Sequence, residues 1–157
     1  MLSHFTRISI SKPEQWLIET AASIGLDFSK FTHETSNELV SHSMKRHGNP
    51  NTQGAAAVTE ADFEHIPVII KAPDFAVICA RRKGLIINAY AKIFGSITYL
   101  YFEEVLQSRK NKALRGKTLY KVNKPLSFDG FIKIVTMNNK TDVKDAKKIA
   151  AGGHPGG

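Results

Sequence analysis

The fold is decided by residues 75–107, FAVICARRKGLIINAYAKIFGSITYLYFEEVLQ, and by residues 117–122, KTLYKV, which follow a basic connection. Runs of β-branched and aromatic residues alternate here with short turn sequences such as RRKG and GS, a pattern typical of strands joined by tight turns. The sequence therefore predicts an antiparallel meander. Because side chains alternate along a strand, one face of the third run is expected to present Ile97, Tyr99, Tyr101, Glu103 and Val105.

Three helices are predicted before the meander, each opened by a capping box, in which a short polar side chain and an acid three residues later satisfy free backbone N–H groups. The boxes pair Ser11 with Glu14, Thr35 with Glu38, and Thr59 with Asp62. The first helix is expected to run to about Gly25 and the second to His47, where Gly48 and Pro50 end it. Pro67 is expected to split the third, which ends near Pro73.

The remaining segments are less regular. Residues 48–58 are small, polar and turn-rich, which predicts an exposed loop. Residues 127–137, SFDGFIKIVTM, fit either a strand or a short helix. The tail, residues 141–157, is expected to form one helix followed by a disordered end. The predicted fold class is α+β, with amino-terminal helices packed on a twisted antiparallel β-sheet.

Composition excludes several classes of protein. The chain has 157 residues, 42% of them hydrophobic, which suits one domain with an apolar core. No apolar run approaches the ~18 residues of a transmembrane helix, and the amino terminus lacks the apolar centre of a secretory signal. We therefore expect no membrane contact and a cytoplasmic location, unless the protein is delivered into a target cell. The single Cys79 excludes an intramolecular disulfide and a cysteine-rich zinc site.

The formal charge of +8 is concentrated in one third of the chain. Residues 76–124 contain eleven Lys or Arg and two acids, and residues 107–124 contain seven of these cations and no acid. Clustered cations gain affinity for nucleic acid by releasing phosphate counterions, so a polyanion partner is one reading. A solvated basic edge that favours solubility is the other.

Two histidines stand out on the second predicted helix. At about 100° per residue, His42 shares a side with Lys45 and Arg46, whereas His47 falls on the other side. A bound phosphate beside His42 would favour its protonated form, which suits proton transfer at a phosphodiester. The alternatives are a solvent-facing His42 and a His47 that packs at the helix end.

Other chemistry has less support in the sequence. His42 and His47 are five residues apart, which does not align two metal ligands on one helix face, and no acidic pair lies nearby. The chain has no phosphate-binding glycine loop and no nucleophile elbow around a serine, so no metal and no cofactor are expected. The acids Glu103 and Glu104, in a basic region, fit either structural ion pairs or catalysis.

The order of several short elements resembles the phage-type nucleases of the barnase, EndoU, colicin and RelE-like superfamily. The elements are His42 to Gly48, Asp62-Phe63 with Ile66-Pro67, Pro73-Asp74, Lys92, and Thr118-Leu119-Tyr120. They span about residues 35–123, and their order and spacing carry the resemblance. It implies an α+β fold and metal-independent ribonuclease activity, in which the ribose 2′-hydroxyl attacks phosphorus and leaves a cyclic phosphate.

Carried over by position, the resemblance implies roles for individual residues. His42 and His47 become the acid–base candidates, Lys45 or Arg46 a phosphate contact, and Lys92 a cation that stabilises the transition state, while Thr118 and Tyr120 orient the phosphate. Glu103 is added as a candidate base because the chemistry requires one. Further cations are expected to bind RNA: Arg109, Lys110, Lys112, Arg115 and Lys117.

The sequence thus leads to one function and one competitor. We expect a toxin or phage-associated RNA endonuclease that acts on transfer RNA or messenger RNA, with an acidic inhibitor or immunity protein as a further expected partner. The competitor is a non-catalytic RNA-binding or phage structural accessory module. The expected organisation is an amino-terminal helical extension (residues 1–34), a nuclease domain (35–137) and a helical or disordered tail (138–157), in a chain that could be part of a longer protein.

Overall fold

A computed structural model describes residues 7–47, 55–56, 58–80, 84–108, 110, 112–139 and 147–150, and a mixed β-sheet is its central element. The strands are β1 (Arg7–Ser11), β2 (Thr32–Ser36), β3 (Ala55–Ala56), β4 (Phe75–Ala80), β5 (Ile86–Phe94), β6 (Ile97–Gln107), β7 (Lys112–Val122) and β8 (Lys147–Ala150). In the described part of the chain their order is β1-β2-β7-β6-β5-β4-β8, and β3 pairs with β7.

The predicted meander is confirmed. Strands β4 to β7 pair antiparallel in sequence order, and the turn between β5 and β6 places Gly95 at φ 63°, a backbone conformation that glycine adopts without a steric cost. The sheet is not wholly antiparallel, however. β2 runs parallel to β7, a pairing that requires a long crossover connection, and the chain between the two strands forms α2, β3, two short helices and β4 to β6.

The helices are α1 (Gln15–Ser23), α2 (Asn37–His47), a 3₁₀ helix (Glu60–His65), α3 (Ile66–Lys71) and α4 (Phe128–Asn139). The α+β class is therefore confirmed. So is the third capping box, in which Thr59 N–H donates to Asp62 at 2.8 Å, and Pro67 lies at the start of α3 next to the break in the helix. Residues 127–137, left open between strand and helix, belong mainly to α4.

The other two capping predictions were wrong in position. Ser11 is the last residue of β1, and α1 begins after Glu14 without a side-chain cap. Thr35 lies in β2, and the cap of α2 falls one residue later, where Leu39 N–H donates to Ser36 Oγ at 3.3 Å. In both cases the polar residue pairs in a strand, and β2 runs directly into α2 whereas three residues separate β1 from α1. Gly48 and Pro50, expected to end α2, lie outside the described residues.

Helices cover both faces of the sheet. On the front face, α1, α2 and α3 bury large side chains such as Leu17, Leu39 and Ile69 against β5, β6 and β7. On the back face, α4 buries Phe131 and Val135. Each such side chain contributes about 1.5–3 kcal/mol by leaving water, so the two layers fix the sheet between them.

The structure does not divide the chain at residue 34. β2 crosses that position, β1 pairs with β2, and α1 contributes Trp16 and Leu17 to the front core, so the segment expected to be an extension is part of the domain. The predicted loop contains β3, which pairs with Lys121 and Val122, and buries Val58. Residues 147–150, expected to be helical, form β8. This strand pairs with β4, so the free backbone N–H and C=O groups on that edge of β4 are hydrogen-bonded. Residues 48–54, 57, 141–146 and 151–157 lie outside the description.

Candidate functional site

Helix α2 carries four of the residues selected from the sequence, and the front face of the sheet holds it in place. Leu39 is fully buried, and Ser43 Oγ accepts a hydrogen bond from Leu119 N–H in β7 at 2.9 Å. This contact satisfies a backbone group of β7 with a side chain of the helix. The backbone of α2 is described through His47, whereas some of its side chains lie outside the description: His42, Lys45, Arg46 and His47.

A buried polar cluster lies below α2, and Glu103 is at its centre. The Glu103 carboxylate is 0% exposed and accepts hydrogen bonds from Tyr90 Oη at 2.6 Å, from Asn88 Nδ2 at 3.3 Å and from His33 Nδ1. Burial raises the pKa of Tyr90 well above its usual value, and the adjacent Glu103 charge raises it further. The phenol therefore stays protonated and donates a hydrogen bond to the carboxylate.

This burial argues against the role predicted for Glu103. A base that removes the proton of a ribose hydroxyl must reach within hydrogen-bond distance of it. The Glu103 carboxylate faces three protein donors inside the core, so in this structure it binds side chains rather than substrate. Glu103 is thus the common acceptor of a buried hydrogen-bond network.

His33, the partner of Glu103, is not among the residues predicted from the sequence. This histidine is 1% exposed, and within the described residues its Nε2 atom has no hydrogen-bond partner. It lies in β2, a short polar strand, THETS, that was assigned to the extension and to the start of a helix. Burial alternates along the strand, with Phe31 and His33 buried and Thr32 and Glu34 half-buried, but the polar sequence THETS carries no apolar alternation that would predict it.

The predicted RNA-binding cations are spread along β7 and its preceding turn. Lys110, Lys112 and Lys117 are exposed, and Lys117 occupies a β-bulge, because Gly116 and Thr118 pair with Glu103 and Phe102 and leave it unpaired. Bulges of this kind redirect a side chain. Arg115 differs from these lysines, since it is mostly buried and forms an ion pair with Glu34 at 3.5 Å. Arg109 lies outside the described residues.

The structure does not bring the remaining candidates together. Thr118 and Tyr120 pair with Phe102 and Leu100, which places them on the back face, and Tyr120 stacks on Phe102 with ring centroids 6.1 Å apart. Lys92 lies in β5, two strands from β7, where its Nζ donates to the Ala72 carbonyl at 2.8 Å. Thr118 and Tyr120 therefore lie on the opposite face of the sheet from Glu103 and α2. Lys92 shares the front face with Tyr90, but its bond to Ala72 holds it beside α3, two strands from β7.

A second polar network on the front face, around Asp62, was not predicted from the sequence. Asp62 accepts hydrogen bonds from Tyr99 Oη at 2.6 Å and from Thr59, and it pairs with Lys121 Nζ at 2.9 Å. Burial alone would raise the pKa of Asp62, but the hydrogen bonds and the lysine outweigh it, so the pKa is lowered. All the donors around this carboxylate favour its charged form.

Between α2 and the 3₁₀ helix the surface opens into a groove of about 560 Å³. Its lining combines one aromatic ring with aliphatic, polar and acidic groups: Asn37, Val40, Ser41, Glu60 and Phe63. Ser41 precedes His42 directly, so the groove adjoins the part of α2 that carries the candidate histidines.

Comparison with known protein families identifies the chain. Residues 11–128 match the family model described as phage-Barnase-EndoU-ColicinE5/D-RelE like nuclease 3, PBECR3. The chain belongs to this family. The resemblance stated from the sequence is thereby confirmed, and membership of PBECR3 supports a nuclease. Searches of curated proteins and of solved structures gave no match to the chain.

The family match begins in β1 and ends at the first residue of α4, so this PBECR3 chain carries α2, β7 and both polar networks inside the matched region. His33, which the sequence analysis placed outside the nuclease domain, also lies within it. Most of α4 and all of β8 lie beyond the match.

Two further observations concern the described residues of this PBECR3 protein. They contain no group of three or more His, Cys, Asp or Glu side chains arranged to hold a metal ion. None of their helices combines the length and the apolar character that crossing a membrane requires.

Proposed function

We propose that this PBECR3 nuclease is a metal-independent RNA endonuclease that cleaves by attack of the ribose 2′-hydroxyl on the adjacent phosphorus. The main support for this proposal is the position of α2. This helix, which bears His42, Lys45, Arg46 and His47, is hydrogen-bonded to β7, and β7 also presents exposed lysines. The buried hydrogen bond between Ser43 and Leu119 thus links the helix of the acid–base candidates to the strand of the phosphate-binding candidates.

The reaction needs a base for the 2′-hydroxyl, an acid for the departing 5′-oxygen, and positive charge at the phosphate. His42 and His47 are five residues apart on one helix, which separates their Cα atoms by about 7.5 Å along the helix axis. Lys45 and Arg46 lie between them in sequence. Because His42 and His47 fall on different sides of the helix, in this proposal the histidine that faces the phosphate exchanges protons with the reacting oxygens, and the cations stabilise the charge that develops on the phosphorane.

Other sequence candidates take different places in this proposal. Lys112 and Lys117 contact phosphates away from the scissile bond, since both are exposed on β7. Glu103 is not the base, because it is buried. Lys92, Thr118 and Tyr120 are left out of the reaction centre, because Lys92 is bonded two strands away and the other two lie on the back face.

The biological role we propose is that of a toxin or phage-associated effector that acts on transfer RNA or messenger RNA. A basic nucleic-acid site also suits an acidic inhibitor or immunity protein, because complementary charge speeds association. Both statements rest on charge and on the family assignment.

The test is cleavage of total RNA by the purified protein in excess EDTA, with the 3′ ends of the fragments identified. Wild type is compared with His42→Ala and His47→Ala. His65→Gln is the histidine control outside α2, because His65 lies on the 3₁₀ helix and packs at a tilt against Phe94 and Tyr99. We expect cyclic phosphate ends with wild type and control, and loss of cleavage in at least one α2 variant.

Three other results would contradict the proposal. Cleavage that EDTA abolishes would contradict metal independence, and 3′-hydroxyl ends would contradict attack by the 2′-hydroxyl. RNA that stays intact but binds in a salt-sensitive manner would favour a non-catalytic RNA-binding module.

A further inference from the structure

The contact between Glu103 and His33 joins two strands that are not neighbours. Glu103 belongs to β6 and His33 to β2, and β7 lies between these strands in the sheet. The residue of β7 opposite Glu103 is Gly116, which has no side chain to occupy the space above the strand. The two side chains therefore meet over the front face of β7.

Every described donor near the Glu103 carboxylate is buried with it. Tyr90 and Asn88 of β5 donate to Oε1, and His33 donates to Oε2. Removing one partner of such a buried group leaves a polar atom without the water that would otherwise replace the lost bond. The cluster thus connects β2, β5 and β6 through one residue.

His33 also lies close to the start of the helix proposed to be catalytic. It precedes Asn37, the first residue of α2, by four positions, and Ser36 both ends β2 and accepts the hydrogen bond from Leu39 N–H. No loop separates the strand from the helix. A displacement of β2 is therefore transmitted directly to α2.

Leu39 provides a second link between the cluster and the helix. A Cβ atom at Gly116 would lie 3.1 Å from Leu39 Cδ2 and 2.1 Å from the Tyr101 hydroxyl. The first turns of α2 consequently rest on the same part of β7 that the Glu103–His33 contact crosses. Ser43, one turn further along α2, is bonded to Leu119 of the same strand.

We infer that Glu103 and His33 form a positioning pair that holds α2 in register with β7, and that Glu103 acts on the reaction through this helix without touching substrate. This inference rests on the proposed function for its effect on cleavage. Its structural part, the hold on α2, is independent of that function. Placement within fractions of an ångström matters here because small misalignments of reacting groups lower rates strongly.

The test compares Glu103→Gln, which keeps the shape and one acceptor oxygen, with Tyr99→Phe. The control removes a buried hydrogen bond on the same face, that of Tyr99 to Asp62, without touching the Glu103 cluster. Amide hydrogen exchange is followed in residues 37–47 of α2 and in residues 128–139 of α4. Glu103→Gln is expected to speed exchange in α2 roughly tenfold and to leave α4 unchanged, since local opening is a property of individual elements.

The same variants are assayed for kcat and KM with RNA. For Glu103→Gln we expect kcat to fall roughly tenfold or more with little change in KM, because the exposed lysines that bind phosphate are untouched. Tyr99→Phe should leave kcat near the wild-type value. If Glu103→Gln does not fold, Tyr90→Phe, which removes one donor at 2.6 Å, takes its place.

The outcomes separate the two proposals. If wild type cleaves no RNA while α2 exchange still rises selectively in Glu103→Gln, the proposed function fails and the hold on α2 stands. Unchanged exchange in α2, or equal acceleration in α2 and α4, overturns the positioning pair. A loss of kcat in Tyr99→Phe equal to that in Glu103→Gln overturns it as well.

Discussion

The Tyr101 hydroxyl lies directly over the backbone of Gly116, where a Cβ atom would be only 2.1 Å from Tyr101 Oη. Glycine at this position therefore leaves room for the Tyr101 side chain of β6 to lie against the backbone of β7. Tyr101 is fully buried and faces the centre of the front core, so it has no open space into which to move.

Gly116→Ala is accordingly expected to destabilise the protein by about 1–3 kcal/mol, the usual cost of overpacking a core. Urea unfolding measures the change. Gly130→Ala is the control, because Gly130 lies in α4, where alanine favours the helix and the nearest atom, at 3.3 Å, is the hydroxyl oxygen of Ser127. Adding Tyr101→Phe to Gly116→Ala should recover part of the loss. Equal stability of the two alanine variants would contradict this packing argument.

The Asp62 network predicts a pH dependence of stability. The pKa of Asp62 is lowered below 3.8 in the folded protein, so this carboxylate stabilises the fold above its unfolded pKa, and that contribution is lost as the pH falls through its folded pKa. Asp62→Asn should lower the free energy of unfolding at pH 7 by about 1.5–3 kcal/mol, because an amide nitrogen would face the Lys121 and Thr59 donors.

Urea unfolding at several pH values between 2 and 7 tests this expectation, because the Asp62 carboxyl group titrates in the acid part of this range. The difference between wild type and Asp62→Asn should shrink toward acid pH. Asp129→Asn, at an exposed position in the first turn of α4, is the control and should show little difference. A gap that stays constant with pH would show that the Asp62 charge contributes nothing.

Cys79 should be unreactive in the native protein. Burial in the back core raises the pKa of its thiol to about 12, and the thiolate is the reactive form. We expect a thiol reagent to label the native protein slowly at pH 8 and the urea-unfolded protein at once. Since Cys79 is the only cysteine in the sequence, labelling reports opening of the back core directly. Rapid labelling of native protein would contradict its burial.

The exposed lysines of β7 should set the affinity for RNA. Lys112→Ala and Lys117→Ala are each expected to weaken RNA binding and to reduce the slope of log affinity against log salt by about 0.7–0.9, as expected for one lost phosphate contact. Lys133→Ala, an exposed change on α4, is the charge-matched control. Fluorescence anisotropy at several salt concentrations measures the slopes. Equal effects of all three variants would indicate attraction by net charge alone.

Local patterns in the sequence were enough to predict the elements of the meander, the third capping box and the proline break after His65. These features depend on residues close together in the chain, such as Thr59 with Asp62. Predictions failed where a polar residue could either cap a helix or pair in a strand. Ser11 and Thr35 have the side chains of helix caps, yet each pairs in a strand, because tertiary hydrogen bonds to another strand outweigh a cap.

The sequence by itself determined the strand order of the meander, the α+β class, the concentration of positive charge and the family resemblance, since each can be read from composition, local period or the order of motifs. Only the tertiary structure decided that Glu103 is buried against His33, that Thr118 and Tyr120 face the back of the sheet, and that β2 runs parallel to β7. These relationships join residues up to 81 positions apart, the separation of Thr32 and Ala113. They arise when strands pair and helices cover the sheet, and a local pattern carries no information about which distant side chains will then meet.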